Sequence, residues 1–122
     1  MDSPNHENEL ELLQTIVGEK LSSVEFVADY VQLRFDGSTL SAFTQPTIVV
    51  GNRESSWNDP GYRDALFCRI GHTVKSVSIR PGNYIEVVFD DGVASRISLE
   101  DSSYRGAEAA KFDSVSGEWW VI

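Results

Sequence analysis

At 122 residues the chain suffices for one domain, 1–122, that buries about two-thirds of its unfolded surface, and 41% apolar and 11% aromatic content excludes a disordered tail. Nineteen acidic against ten basic residues give a net charge of −9, a field that repels phosphate backbones and anionic membranes and attracts basic partners. There is no run of 18 apolar residues and no basic, apolar start of a secretion signal, and the lone Cys68 has no partner for an internal disulfide, so a cytoplasmic address is expected.

In chain order, Ser3-Pro4 supplies a cap and a first-turn proline, and Leu10, Leu13, Ile16 and Val17 form one apolar stripe ended by Gly18; a helix is predicted over about 5–17. Residues 21–27 alternate with Val24 and Phe26 inward, Ala28-Asp29 turns the chain, and 30–35 alternates again before Asp36-Gly37, which carries hairpin chemistry. Residues 39–43 and the β-branched run Thr47–Val50 read as two further strands, and 52–61 reads as a polar loop holding Glu54 and Trp57. Asn58 or Asp59 with Pro60 predicts a second helix through Tyr62, Leu66 and Ile70 to Gly71. Strands near 74–79, 84–89 and 93–99 follow. Glu100-Asp101-Ser102-Ser103 predicts the cap of a third helix around Tyr104–Phe112, built on Ala107, Ala109 and Ala110, and 118–122 closes the chain as a strand in which adjacent Trp119 and Trp120 must face opposite ways.

Two stretches match: Gly18-x-x-Leu21-x-Ser23-Val24-x-Phe26 with Tyr30-Val31-x-Leu33-x-Phe35-Asp36-Gly37, and Gly71-x-x-Val74-x-Ser76-Val77-x-Ile79 with Tyr84-Ile85-x-Val87-x-Phe89-Asp90-Asp91-Gly92. The offset grows from 53 at the glycines that end the helices to 55 at Gly37/Gly92, one residue per turn, which is the trace of a duplicated β-structure. The expected fold class is α+β: a duplicated αββββ unit, over 5–50 and 59–122, forming a largely antiparallel sheet with helices packed against it, with 118–122 standing for Thr47–Val50.

Catalytic chemistry is thinly provided. Cys68 and His72 lack a third residue fixed by sequence and read as a buried structural cysteine and a surface histidine, and one Cys with two His cannot build a structural zinc site. Asp90-Asp91-Gly92 lacks the alternating ligands of a calcium loop and reads as a hairpin turn. No phosphate-binding glycine loop occurs, and the basic residues are scattered singly, which argues against direct nucleic-acid binding. No enzyme activity, cofactor or metal is therefore expected. What remains are acidic clusters and a tryptophan suited to a protein partner: Glu7, Glu9 and Glu11, Glu54, Trp57, Asp90 and Asp91, and Glu100 and Asp101. Trp57 either staples onto Tyr62 or projects toward a partner.

The runs Asp29-Tyr30-Val31-Gln32-Leu33-Arg34-Phe35-Asp36-Gly37, Pro60-Gly61-Tyr62-Arg63-Asp64-Ala65-Leu66 and Glu108-Ala109-Ala110-Lys111-Phe112, with Trp119-Trp120, resemble a family of small uncharacterised bacterial proteins over about 15–122. That resemblance carries no catalytic residues. Size, acidity and the lack of catalytic constellations also resemble the immunity proteins that neutralise bacterial toxins, which implies a cytoplasmic inhibitor of a basic toxin such as a nuclease. The alternatives are a phage-type inhibitor of a nucleic-acid-binding protein and an enzyme with an unrecognised site.

Overall fold

The computed structural model describes residues 6–122. Helix α1 spans Glu7–Leu13 and tightens into a 3-10 turn, Gln14–Ile16. Leu13 and Ile16 of the apolar stripe are buried, Leu10 packs at the margin and Val17 is exposed. The Ser3-Pro4 start lies outside the described residues; ahead of the helix His6 takes a left-handed conformation, with Nδ1 2.9 Å from Glu9 Oε1. Helix α2, Tyr62–Phe67, begins later than its sequence signals suggest. Gly61 precedes it without a side-chain cap, because Asp59 is used in the turn before, where its carboxylate accepts the Ser56 N–H at 2.7 Å.

The strands are β1 Ser23–Val27, β2 Tyr30–Arg34, β3 Thr39–Ala42, β4 Thr47–Val50, β5 Arg53–Ser55, β6 Val74–Arg80, β7 Tyr84–Phe89, β8 Ala94–Ser98, β9 Ala110–Asp113 and β10 Trp119–Val121. All pairings are antiparallel, and they build two five-stranded sheets, β1-β2-β3-β9-β10 and β5-β4-β8-β7-β6. The class is α+β, with inward-facing residues of both sheets in one apolar core. Val24 and Val77, Leu33 and Val87, and Phe35 and Phe89 are all buried there, as the period-two patterns require.

The sheet order shows how the halves combine. Each begins with a three-stranded meander, β1-β2-β3 or β6-β7-β8, and each sheet is completed by a hairpin from the other half. Hairpin β4-β5 lies against β8, and β9-β10 lies against β3. Ile48 faces Ser95 in one sheet and Phe112 faces Leu40 in the other. The halves also meet directly: Gly18 N–H donates to Val74 O (2.9 Å) and Gly71 N–H to Leu21 O (2.8 Å), Leu21 N–H to His72 O (3.0 Å) and Val74 N–H to Glu19 O (2.8 Å). Exchanging each residue for its mate 53 positions away maps these four bonds onto one another. They flank the Lys20–Thr73 bridge, whose two residues are themselves mates, so the contact is self-complementary in the way of a two-fold interface.

Two expectations are corrected. The third helix at 104–112 does not form: a 3-10 turn occupies Asp101–Ser103 and Ala110–Asp113 is strand β9. Helix propensity loses here to tertiary pairing: Ala109 and Ala110 are fully buried, and Ala110 stands directly opposite Ala42 in the ladder with β3. As a result β9, and not 118–122, is the counterpart of Thr47–Val50; β10 corresponds to β5, which lies in the stretch read as loop. Arg53, Glu54 and Ser55 carry no strand pattern and are extended because they pair with Val50, Val49 and Ile48.

Candidate functional site

A cleft of about 530 Å³ lies on the outward face of the β5-β4-β8-β7-β6 sheet, bordered by Gln45 and Thr47, Glu54, Asn83 and Tyr84, Arg96 and Ser98, and Glu100, Ser103 and Arg105. Its origin is a difference between the two halves. Opposite Tyr30 stands Phe43, with ring centroids 5.3 Å apart, whereas opposite Tyr84 stands Ser98, which leaves room over the ring. Into that room comes Arg96, its guanidinium carbon 4.4 Å from the Tyr84 centroid. The corresponding cavity beside Tyr30 and Phe43 is smaller, about 250 Å³, and Arg105 borders both.

The walls are held by their own hydrogen bonds. Ser98 Oγ donates to Ser103 Oγ (2.8 Å) and accepts from Glu100 N–H (3.2 Å), while Thr44 Oγ1 donates to Ser98 O (2.7 Å) and Leu99 N–H to Asn83 O (2.9 Å). Both cationic lining residues have partners outside the lining. Arg96 Nε donates to Glu86 Oε2 at 2.7 Å, a bond that does most to hold its pKa above the usual arginine value, with Glu54 contributing at longer range. Arg105 Nη1 donates to the Asp29 carbonyl (3.2 Å), with Nη2 3.9 Å from the Asp29 carboxylate. Glu54 and Glu100 are exposed and in no ion pair among the described residues.

A second constellation surrounds the β7–β8 turn. His72 Nδ1 lies 2.7 Å from Asp90 Oδ1 and its Nε2 3.8 Å from Asp91 Oδ2, while Arg69 Nη1 donates to both Asp91 oxygens at 2.7 and 2.8 Å. Arg69 is only 6% exposed and lies over the Phe89 ring. The hydrogen bond from His72, then that of the Thr73 N–H, holds Asp90 below the usual carboxylate range; burial pushes Asp91 up, but the Arg69 hydrogen bond and the Val93 N–H outweigh it and leave Asp91 lowered. One ligand atom from each of His72, Asp90 and Asp91 can be chosen within 4.8 Å of the others, the spread of a cation site. The donor set argues for a structural clasp instead, since a buried guanidinium already takes both oxygens of Asp91 and the imidazole takes Asp90. Cys68 is exposed, contrary to the buried position expected of it: it follows the last residue of α2, on the side turned from Leu66 and the core.

Of the residues singled out by sequence, Glu54 and Glu100 share the cleft, with Asp101 next along the chain, and Asp90 and Asp91 share the turn with His72 and Arg69. Glu7, Glu9 and Glu11 sit apart on α1, which packs on β6. Trp57 is half-buried, its ring centroid 5.9 Å from that of Tyr62 and 5.8 Å from that of Phe26, with Arg63 over both Trp57 and Phe26; because Gly61 and not Asn58 precedes α2, the contact with Tyr62 is not a helix-capping staple. Trp119 is 62% exposed on edge strand β10, with Lys111 Nζ 5.5 Å from its ring, while Trp120 faces inward onto Phe112. Sequence reasoning missed Arg96, Tyr84, Arg105 and Arg69. Setting the copies side by side would have shown Ser98 where the first has Phe43, the one signal of the cleft. No protein-family model matches the chain, and no curated protein or solved structure matches it. No helix among the described residues is long and apolar enough to cross a membrane.

Proposed function

We propose that the protein is a cytoplasmic protein-binding inhibitor, an immunity protein that covers a basic toxin such as a nuclease. The observation that carries this reading is the uneven pairing of its charges. Five of the ten cations, Arg34, Arg69, Arg96, Arg105 and Lys111, are tied to carboxylates of the same chain, whereas Glu11, Glu54, Asp64, Glu100, Asp101 and Glu108 face outward in no ion pair among the described residues. The other five cations, Lys20, Arg53, Arg63, Lys75 and Arg80, are in no ion pair among the described residues but are outnumbered by acids, so the surface keeps the negative field of the −9 net charge, which attracts a cationic partner. Trp119 is the exposed aromatic suited to anchor the contact. In the β9–β10 ladder the backbone groups of Glu118 and Ile122 turn toward β9, so those of Trp119 and Val121 point to the open edge.

The test is capture from native lysate at low salt with identification of what is bound, followed by co-expression with any toxin encoded beside this chain. The expected results are rescue of toxin-expressing cells, an association rate that falls about tenfold or more between roughly 50 and 500 mM salt, and faster dissociation of Trp119→Ala. Equal killing with and without this protein, together with no basic protein retained at low salt, overturns the reading.

A further inference from the structure

We infer that the partner docks by adding an extended strand of its own to the open edge of β10, a strand that alternates apolar with basic residues. The inference rests on the reading of the protein as a binder of basic proteins and names how the contact is made. Each five-stranded sheet has two edges, and three of the four are blunted. Strand β6 is bulged between Val74 and Ser76, carries Lys75 and Arg80 and has α1 against it. Strand β1 carries Glu25 and has α2 against it, and β5 is the polar triplet Arg53-Glu54-Ser55. Strand β10, Trp119-Trp120-Val121, has neither charge nor bulge. Ser114 N–H donates to Glu118 O (2.8 Å), and Ala110 and Ile122 exchange both backbone bonds (3.1 and 3.0 Å), so the alternation of an antiparallel ladder turns the N–H and C=O of Trp119 and Val121 away from β9. Four backbone hydrogen-bonding groups therefore stand on the one apolar edge, in the pattern that receives a further strand.

Side chains and charge choose the occupant. Trp119 and Val121 are 62% and 43% exposed on the outward face, so a strand laid beside them covers both if its residues on that face are apolar. The other face of β10 carries Trp120, with Glu118 before it and Ile122 after it. Glu118 is exposed and in no ion pair among the described residues; so is Glu108, which directly precedes Ala109, whose N–H donates to Ile122 O. An acid thus flanks each end of β10, whereas Lys111, the cation beside the Trp119 ring, already lies 3.5 Å from Asp113. Basic residues on the second face of the incoming strand set a positive charge opposite Glu118. A second copy of this chain fits less well. Antiparallel pairing about Trp120 would set Trp119 against Val121, but three residues a side fall far short of the roughly 800 Å² per partner of a stable interface, and both chains carry −9. A basic protein brings the opposite charge and can add contacts beyond the strand.

The experiment titrates the intact protein with the peptide acetyl-Lys-Val-Lys-Val-Lys-Val-Lys-amide, following backbone amide resonances and hydrogen exchange by NMR. Two further peptides are compared: the same sequence N-methylated at each valine, which keeps the charge and side chains but loses the edge donors, and the acidic acetyl-Glu-Val-Glu-Val-Glu-Val-Glu-amide. The expected result is a saturable shift centred on Trp119, Trp120 and Val121, with slowed exchange of the Trp119 and Val121 N–H groups. Affinity should be lower by about tenfold or more for the N-methylated peptide, for the acidic peptide and in Val121→Pro. Glu118→Gln should bind about threefold more weakly, and Glu11→Gln, which removes a charge away from the edge, should titrate like the parent. Val121→Pro deletes an N–H that β9 does not use, so native amide dispersion should be kept; if that variant unfolds, the N-methylated peptide tests the same bonds on the unaltered protein. Shifts that survive N-methylation or map away from β10 overturn the edge as the docking site. Equal binding of the acidic peptide overturns the basic strand, and concentration-dependent shifts of the Trp119 and Val121 amides without peptide would assign the edge to a second copy instead. Full rescue of toxin-expressing cells by Val121→Pro would refute strand addition alone; a parent that takes the peptide on β10 yet gives no rescue would refute the inhibitor reading alone.

Discussion

Gly37 and Gly92 close equivalent hairpins with the same φ of 84°, yet their surroundings differ. A Cβ on Gly92 meets open space, whereas one on Gly37 would come 2.6 Å from Val115 Cγ2. Gly92→Ala therefore incurs only the left-handed strain of about 1–2 kcal/mol, and Gly37→Ala should cost about 1 kcal/mol more through overpacking. Urea midpoints of the two variants give the difference, and Val115→Ala in the Gly37→Ala background should remove it; equal costs would show that Val115 yields freely. Tyr62 offers a second test. It is buried, its hydroxyl donates to the Pro46 carbonyl, and burial pushes its pKa well above the usual tyrosine value. Tyr62→Phe leaves that carbonyl without its donor and should destabilise by about 1–3 kcal/mol, with the phenol silent to alkaline titration until the fold is lost.

Among the elements, those specified by side-chain alternation were legible in the sequence and those specified by neighbours were not. Val31, Leu33 and Phe35, or Ile85, Val87 and Phe89, announce a strand because every second residue must leave water. Arg53-Glu54-Ser55 has no such pattern and is a strand only because β4 offers a free edge, and Ala107, Ala109 and Ala110 imitate a helix although Ala110 opens a strand whose pairing with β3 decides its conformation. The clasp at the β7–β8 turn was hidden for another reason: Asp90 and Asp91 meet His72 and Arg69 across 18 and 22 positions of chain. Both carboxylates have lowered pKa values in the fold, so their stabilising effect is complete above the unfolded carboxylate value of about 4 and is lost as pH falls through the lower folded values. Asp91→Asn should therefore flatten the decline of the urea midpoint below about pH 4 relative to the parent while lowering it at pH 7, since Arg69 loses its charged partner. A parallel decline in both proteins would show that other acids control acid unfolding.

For the whole molecule the exchange of hairpins has a direct thermodynamic reading. Each sheet contains strands from both halves, so neither can open without exposing the core of the other. Phe35→Ala and Phe89→Ala should each cost about 3–5 kcal/mol and shift one common transition, whether followed by tryptophan fluorescence, which reports Trp57, Trp119 and Trp120 together, or by circular dichroism of the whole. Two separable transitions would show that the halves melt independently. The matching residue patterns of the two halves stand in the sequence, but the partition of their strands between sheets does not, because β3 with β9 and β4 with β8 pair across distances that no local pattern encodes. The same exchange bears on how the chain acquires its shape during synthesis. When the first half has left the ribosome, β3 presents an open edge and the β4-β5 hairpin has no meander to join, since β8 and β9 have yet to be made. The nascent protein must wait with both surfaces uncovered, which makes the interval between translating residue 56 and residue 113 the period in which it is most exposed to strand pairing with other chains and most dependent on chaperones.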